Sequence, residues 1–322
     1  MRIQAEKISN ESQLVADYKQ NKAIVEFFDY PLDGPLENRI AELKKRTYKR
    51  KPLVEVLLRC NEAWGAGEKT LAAIKKLENP DTVAVVGGQQ AGLLTGPLYT
   101  INKVLSIIQF AREKEEKLGV PVLPIFWIAG EDHDFAEINH IYLPTKNQLM
   151  KYKLKQSVYK KTPISTMEFD KEALENWLSE VFSALPETDH TKDIYGMAND
   201  ALRKAQSFTD FFAIFLHRLF NDSGIILLDS ADEEIRRIES DYFVQLIENQ
   251  PKISQSVYET SQQLLERGYP ITFDPDPSDG HLFYHLKGER ILLKRTDSGS
   301  WVGKMDEGEW STEELLETAK TN

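Results

Sequence analysis

Carboxylates and imidazoles are concentrated in one eleven-residue stretch, Gly130–His140. Its ionisable side chains are Glu131, Asp132, His133, Asp134, Glu137 and His140. Ionised groups this close repel one another unless a cation, a substrate ammonium group or basic residues compensate, so the stretch indicates ligand binding rather than packing. Histidine suits proton transfer near neutral pH, and we interpret His133 as a general acid or base whose tautomer and charge are set by Asp132 or Asp134. Glu131 and His140 are assigned to substrate binding.

A metal site is the alternative interpretation of this stretch. If a helix begins after Asp134, then His133, Glu137 and His140 share one face, which is compatible with metal ligation. Asp134 and Glu137 also have the spacing of an N-terminal capping box, which needs no metal. We assign no metal ligand from the sequence and keep metal binding as an alternative.

A second polar stretch begins at Gly87 and Gly88, directly after an apolar run. Glycine accepts positive φ and has no Cβ, so the backbone there can turn sharply and approach a ligand. The stretch lacks both the G-x-G-x-x-G pattern and the lysine of a Walker loop, and a tight strand-to-helix turn explains the glycines equally well. Gln89 and Gln90 follow, and their amides can read the polar groups of a substrate.

A helix is predicted to follow this stretch, with Gly96 and Pro97 as its cap and first residue. Thr95 and Gly96 would open the helix, and its N-terminal N–H groups favour an anion. Tyr99 and Lys103 are spaced to project together toward that anion. We therefore assign Thr95, Gly96 and Tyr99 to substrate binding and Lys103 to the catalytic set, with a solvent-facing helix lysine as the alternative for Lys103.

Both polar stretches follow elements of a predicted α/β fold with a mostly parallel sheet. Residues 82–86 and 120–129 are apolar runs typical of strands buried on both faces, and the helix between them is predicted to present Leu98, Ile101, Leu105 and Ile108 on its apolar side. Parallel strands joined by a right-handed crossover place both following loops at one sheet edge, where open α/β sheets bind ligands. Asp229 ends a third buried run and is expected at the same edge, as a further substrate-binding residue.

Five segments are predicted along the chain. They are a helical segment packing on the core at 1–80, the first half of the core at 81–142, an insertion of α+β elements at 143–195, the second half of the core at 196–267, and an antiparallel hairpin with the start of a further region at 268–322. The clearest local patterns are an apolar helix at 208–220, a hairpin turning at 287–289, and a capping box formed by Ser311 and Glu314.

Composition limits the class of protein. With 322 residues, of which 41% are hydrophobic, the chain can bury a large core and is not a disordered protein. A net charge of −11 argues against a nucleic-acid partner. No apolar run is long enough to span a bilayer and the N-terminus lacks the apolar core of a signal peptide, so we expect a cytoplasmic protein with no membrane partner. The single cysteine, Cys60, excludes an internal disulfide.

The two polar stretches resemble one known family. They read VVGGQQAGLLTGPLYT at 85–100, followed by Lys103, and WIAGEDHDF at 127–135, with weaker similarity at 224–229 and 268–270. These runs are similar to the cysteine-adding enzymes of bacillithiol biosynthesis, the BshC family. The resemblance implies a Rossmann-like core related to class I aminoacyl-tRNA synthetases and a reaction that joins L-cysteine to glucosaminyl-malate through an amide. Family members are longer and carry a C-terminal coiled coil used for dimerisation, which is absent here, so we interpret the chain as a fragment and expect a homodimer for the full-length protein.

Three functions are compatible with these residues. In a ligase, the glycine stretch and helix hold a carboxylate or phosphate and the acidic stretch handles the amine. A free carboxylate needs activation to form an amide in water, so ATP with Mg²⁺ is the candidate cosubstrate. Asp132 and Asp134 would recognise an ammonium group or organise Mg²⁺. The sequence contains no nucleotide-binding motif, and we assign no cofactor from it. The alternatives are a metal-dependent hydrolase of a small polar substrate and a non-catalytic small-molecule-binding module.

Overall fold

A three-stranded parallel sheet carries both polar stretches. The computed structural model describes residues 11–20, 22–32, 34–144, 148–303 and 308–321, and the parts of the predicted segments that fall on residues 1–10, 21, 33, 145–147, 304–307 and 322 lie outside it. Its α-helices are α1 (Gln13–Lys19), α2 (Leu36–Leu43), α3 (Arg50–Ala63), α4 (Glu68–Lys76), α5 (Leu98–Leu118), α6 (Phe135–Ile138), α7 (Lys171–Ala184), α8 (Thr191–Lys204), α9 (Phe208–Phe220), α10 (Glu233–Glu266) and α11 (Thr312–Thr321). Its strands are β1 (Val83–Gln89), β2 (Val122–Ile128), β3 (His140–Pro144), β4 (Leu149–Lys153), β5 (Ile226–Asp229), β6 (Asp279–Leu286), β7 (Glu289–Arg295), β8 (Trp301–Gly303) and β9 (Glu309–Trp310).

The chain groups into two compact units. One consists of the described residues within Met1–Lys45, Val244–Phe283 and Leu292–Leu316, and the other of those within Arg46–Phe243, Tyr284–Ile291 and Glu317–Asn322. The second unit contains the parallel sheet and the antiparallel pair β3–β4. The five segments proposed from the sequence stay a prediction.

In the parallel sheet, β2 lies between β1 and β5. The register pairs Gln89 with Ile128, and Ile128 with Asp229, so the three strands end at the same level. The predicted common carboxyl edge is therefore confirmed, and Asp229 lies at it.

The two outer strands of this sheet differ from the sequence expectation. The prediction that the first strand is buried on both faces is wrong, because β1 is an edge strand and its Val86 is 56% exposed. The other edge strand, β5, is protected by the buried side chain of Asn61, which accepts the N–H of Leu227 at 3.0 Å and donates to the carbonyl oxygen of Leu227 at 2.8 Å. One amide thus replaces a neighbouring strand at that position.

The buried face of helix α5 overlaps the predicted one only in part. Its buried residues are Thr100, Val104, Ile107, Ile108 and Ala111. Of the predicted residues, Ile108 is buried and Ile101 packs against the core, whereas Leu98 and Leu105 are exposed. The helix carries apolar residues on two sides, and the side with the smaller residues packs on β1 and β2 because it allows close approach to the sheet. Hydrophobicity alone did not distinguish the two sides.

The start of α5 is also one residue later than predicted. Pro97 is the cap and Leu98 the first helical residue. The preceding residues Leu94, Thr95 and Gly96 all have positive φ, at 49°, 74° and 68°, and form an irregular turn that delays the helix.

The strongest local patterns are confirmed. Helix α9 spans the predicted residues, and the Ser207 hydroxyl caps it by accepting the Asp210 N–H at 3.0 Å. Ser311 and Glu314 form the reciprocal capping box, with N–H bonds of 2.6 and 3.1 Å to each other's side chains. The predicted hairpin joins β6 to β7. Across the residues that the structure describes, no helix combines the length and apolar character needed to cross a bilayer.

Candidate active site

The candidate site lies where β1, β2 and β5 end. The Ala129 N–H donates to the carbonyl oxygen of Gln89 at 3.0 Å, and the Ser230 N–H donates to that of Ile128 at 3.1 Å. These bonds continue the hydrogen-bonding pattern of the parallel sheet to the residues that directly follow β2 and β5. As a result the glycine stretch, the acidic stretch and the loop after Asp229 follow neighbouring strands.

The glycine stretch is joined to α5 by polar side chains. The Lys103 ammonium group donates to Oε1 of Gln89 at 2.7 Å and to the carbonyl oxygen of Gly88 at 3.2 Å. Nε2 of Gln89 lies 2.6 Å from Oε1 of Gln90 and 3.2 Å from the hydroxyl of Tyr99. The structure therefore brings these four predicted side chains, Gln89, Gln90, Tyr99 and Lys103, into one cluster at the surface.

Packing within the sheet and against α5 accounts for the two glycines of this stretch. A Cβ on Gly88 would lie 2.6 Å from the carbonyl oxygen of Trp127, and one on Gly87 would lie 3.0 Å from Cγ2 of Ile107. Neither position accepts a larger residue without a shift of its neighbour. Thr95 is buried and Gly96 lies in the turn before α5. Contact of these four residues with a ligand stays a prediction.

The acidic stretch does not form the metal-binding face that the sequence left open as an alternative. Helix α6 is only four residues long, and His140 is the first residue of β3, where its Nδ1 lies 3.2 Å from Oδ1 of Asn139. His133, Glu137 and His140 therefore do not share one helix face, because the helix ends before His140. Over the described ranges, no group of three or more His, Cys, Asp or Glu side chains is arranged to hold a metal ion.

His133 is accompanied by Asp132 rather than Asp134. Oδ1 of Asp132 accepts the His133 N–H at 2.8 Å and lies 3.6 Å from Nδ1 of the imidazole. Oδ1 of Asp134 instead accepts the Ala136 N–H at 3.0 Å and caps α6. Of the two carboxylates left open by the sequence, Asp132 is the charged neighbour of the His133 imidazole, without a hydrogen bond to Nδ1, and Asp134 has a structural partner.

Arg290 completes this arrangement and was not predicted from the sequence. Its Nη1 lies 3.4 Å from Oδ1 of Asp132, and its backbone N–H donates to the carbonyl oxygen of Lys161 at 3.1 Å. Burial lowers the pKa of the guanidinium, an effect that the charges of Glu131 and Asp132 partly offset. No sequence signal links Arg290 to the acidic stretch, since the two lie 158 positions apart.

Asp229 is a largely buried carboxylate behind the acidic stretch. A Cβ on Gly130 would overlap its carboxylate, so glycine at position 130 makes room for it. Burial raises the pKa of Asp229 to about 7, and the negative charges of Asp232 and Glu131 add to the shift. The Glu131 carboxylate contacts the hydroxyl of the buried Ser230. Asp229 can therefore hold or release a proton near neutral pH.

The ring of His140 contacts Asn139 and Tyr142. Its ring packs edge-on against Tyr142, with centroids 5.1 Å apart. Burial, followed by the charge of Lys151, lowers the pKa of His140. Substrate contact by His140 stays a prediction.

Comparison with known proteins identifies the family. The family described as "Bacillithiol biosynthesis BshC, N-terminal Rossmann-like domain" matches residues 1–322. The chain belongs to the BshC family. A relative from Oceanobacillus iheyensis, named "Putative cysteine ligase BshC", is 45% identical over 317 residues, which cover 97% of this chain and 58% of the relative. A relative of the same name from Bacillus cereus (strain B4264) is 40% identical over 311 residues, covering 96% of this chain and 58% of the relative.

The chain thus spans about three fifths of the length of these curated BshC relatives. The match confirms the resemblance drawn from the two polar stretches and the Rossmann-like class of the core. It covers the candidate site completely, since all three loops at the sheet edge lie within the matched residues.

Proposed function

We propose that this chain is the Rossmann-like part of a ligase that joins L-cysteine to glucosaminyl-malate through an amide bond, the last step of bacillithiol biosynthesis. The observation that carries the proposal is the placement of His133 at the carboxyl edge of the sheet, with Asp132 at its Nδ1 side and Arg290 behind Asp132. Support for the reaction comes from two relatives named "Putative cysteine ligase BshC" and from the family description, which refers to bacillithiol biosynthesis.

His133 is proposed as the base for the attacking amine. An ammonium group has no lone pair, so the amine of glucosaminyl-malate must lose a proton before it attacks the activated carboxyl carbon of cysteine. The carboxylate of Asp132 lies 3.6 Å from Nδ1 of the imidazole that would receive the proton, and Nη1 of Arg290 lies 3.4 Å from Oδ1 of Asp132. Proton transfer by a positioned side chain contributes about 10²–10⁴-fold to a rate.

The cysteine carboxylate needs activation, for which ATP with Mg²⁺ is the proposed cosubstrate. The residues that would hold its phosphates are Lys103 and the first turn of α5. The contacts of the Lys103 ammonium group are with the neutral oxygens of Gln89 and Gly88 and the face of the Tyr99 ring, so its charge is free to attract an anion. ATP would turn the carboxylate oxygen into a leaving group.

The test compares His133→Ala with His190→Ala in cells that carry only the variant gene. His190 is an exposed histidine at the start of α8 with no side-chain cap bond, so it is a matched control. We expect His133→Ala to accumulate glucosaminyl-malate with bacillithiol reduced at least a hundredfold, measured by thiol profiling, while His190→Ala resembles the parent. Unchanged bacillithiol in the His133→Ala cells would rule out this mechanism.

Purified protein separates the ligase from a binding module. Incubation with L-cysteine, glucosaminyl-malate and ATP should yield bacillithiol, and thermal unfolding should show that His133→Ala remains folded. Calorimetric binding of both substrates without product would contradict the ligase and support a non-catalytic module.

A further inference from the structure

A cleft of about 350 Å³ is lined by His133 and Phe135 and by residues of the irregular segment that follows β4. This volume falls within the range of small-molecule sites. The cleft carries three lysines, Lys153, Lys160 and Lys161.

The three lysines have no compensating charge in the cleft. None of them forms an ion pair within 4.0 Å among the residues that the structure describes, although Arg203, Arg236 and other cations of this unit do. No aspartate or glutamate lines the cleft. Three like charges around one concavity create a positive potential that attracts an anion, and two or more negative charges on that anion match it best.

Two buried polar atoms in the cleft residues lack hydrogen-bond partners. They are Nδ1 of His133 and Oε1 of Gln156. The other end of the Gln156 amide is used, since its Nε2 donates to the carbonyl oxygen of Glu168 at 2.7 Å. An unpaired buried acceptor is costly, and because Gln156 lines the cleft, a small movement of its side chain would let Oε1 accept a hydrogen from the hydroxyl or amine of a ligand.

We propose that this cleft binds a hydroxydicarboxylate. The lysines receive the two carboxylates, and the hydroxyl donates to Gln156. This inference rests on the proposed function and extends it: the malyl end of glucosaminyl-malate is such a group, and its binding here places the rest of the precursor beside His133. L-cysteine fits less well, because its single carboxylate is balanced by its own ammonium group.

Isothermal titration with L-malate tests the site directly. We expect binding that weakens when the ionic strength rises, and that falls about tenfold or more in the double variant Lys160→Gln/Lys161→Gln, because two charge-assisted hydrogen bonds are lost. Lys192→Gln is the matched control, since Lys192 is an exposed lysine of α8. Succinate, which lacks the hydroxyl, should bind several-fold more weakly than L-malate. Equal binding of L-malate, succinate and sulfate, or L-malate binding that survives in the double variant, would overturn the proposal.

Steady-state kinetics distinguishes failure of this site from failure of the proposed function. In an active enzyme, the double variant should raise KM for glucosaminyl-malate about tenfold and leave KM for L-cysteine unchanged. Ligase activity with an unchanged KM for the precursor would refute the site and leave the ligase intact. Lysine-dependent L-malate binding in a protein without ligase activity would support the site and refute the ligase.

Discussion

Replacing Asp229 by asparagine should stabilise the protein, and the gain should grow with pH. Burial raises the pKa of Asp229 from 3.8 to about 7, with the charges of Asp232 and Glu131 adding to the effect. Between these two pH values the folded state binds more protons than the unfolded state, so the free energy of unfolding falls as pH rises through this range. Above about pH 7 the folded protein carries the full cost of an ionised, buried carboxylate.

The size of the gain follows from the pKa. A shift of about three units corresponds to about 4 kcal/mol at pH 8 and to less than half of that at pH 5. Asparagine keeps an oxygen that accepts the Ala231 N–H, now at 2.9 Å, but this bond weakens by about 1 kcal/mol when the acceptor loses its charge. We therefore expect a net gain of about 3 kcal/mol at pH 8, and of 1 kcal/mol or less at pH 5.

His217 also makes the stability of the protein depend on pH, so the effect of Asp229 must be measured as the difference between variant and parent. Burial lowers the pKa of this histidine to about 4, so its contribution to stability is lost as pH falls from 6.5 toward 4. That slope is opposite in sign to the slope from Asp229, and the two partly cancel in the parent protein. The difference between Asp229→Asn and the parent isolates Asp229.

Urea unfolding at pH 5 and pH 8 measures this difference, with Asp189→Asn as a control at an exposed aspartate. The control should change stability by less than about 0.5 kcal/mol at both pH values. A gain for Asp229→Asn that is the same at pH 5 and pH 8 would show that Asp229 ionises normally, and the reasoning would fail.

Two further substitutions test how the acidic stretch is built. Gly130→Ala should lower the free energy of unfolding by about 2–3 kcal/mol in urea titrations, because its Cβ overlaps the Asp229 carboxylate. Gly196→Ala in α8 should raise it by about 0.5–1 kcal/mol, because a Cβ there meets nothing within 4 Å. Equal effects of the two substitutions would contradict the overlap. Arg290→Gln should lower kcat/KM about tenfold, because Asp132 loses the guanidinium group that lies 3.4 Å from its Oδ1. Arg290→Lys keeps a cation and should restore most of the activity; an Arg290→Gln variant with the kcat/KM of the parent would show that Arg290 does not position Asp132.

Much of the parallel core was predictable because its signals are local. The order of strand, glycine stretch, helix, strand and acidic stretch, combined with the rule for right-handed crossovers, was sufficient to place both stretches at one sheet edge. The apolar helix α9 and the capping box at Ser311 were likewise predictable, since each depends on residues a few positions apart.

Properties that depend on burial were not predictable to the same degree. Which side of α5 faces the sheet, and the edge position of β1, depend on where neighbouring elements lie. His133, Glu137 and His140 do not share a helix face because α6 has only four residues, and their spacing in the sequence does not reveal the length of the helix.

By itself, the sequence determined the family, the parallel core and the two stretches at its carboxyl edge, because periodicity, turn residues and motif identity are properties of neighbouring positions. Only the tertiary structure decided that Asp132 rather than Asp134 accompanies His133, that Arg290 joins them, and that Asp229 is buried enough to titrate near neutral pH. The physical reason is that the ionisation and pairing of a charge depend on its desolvation and its nearest charges, which residues distant in the chain supply.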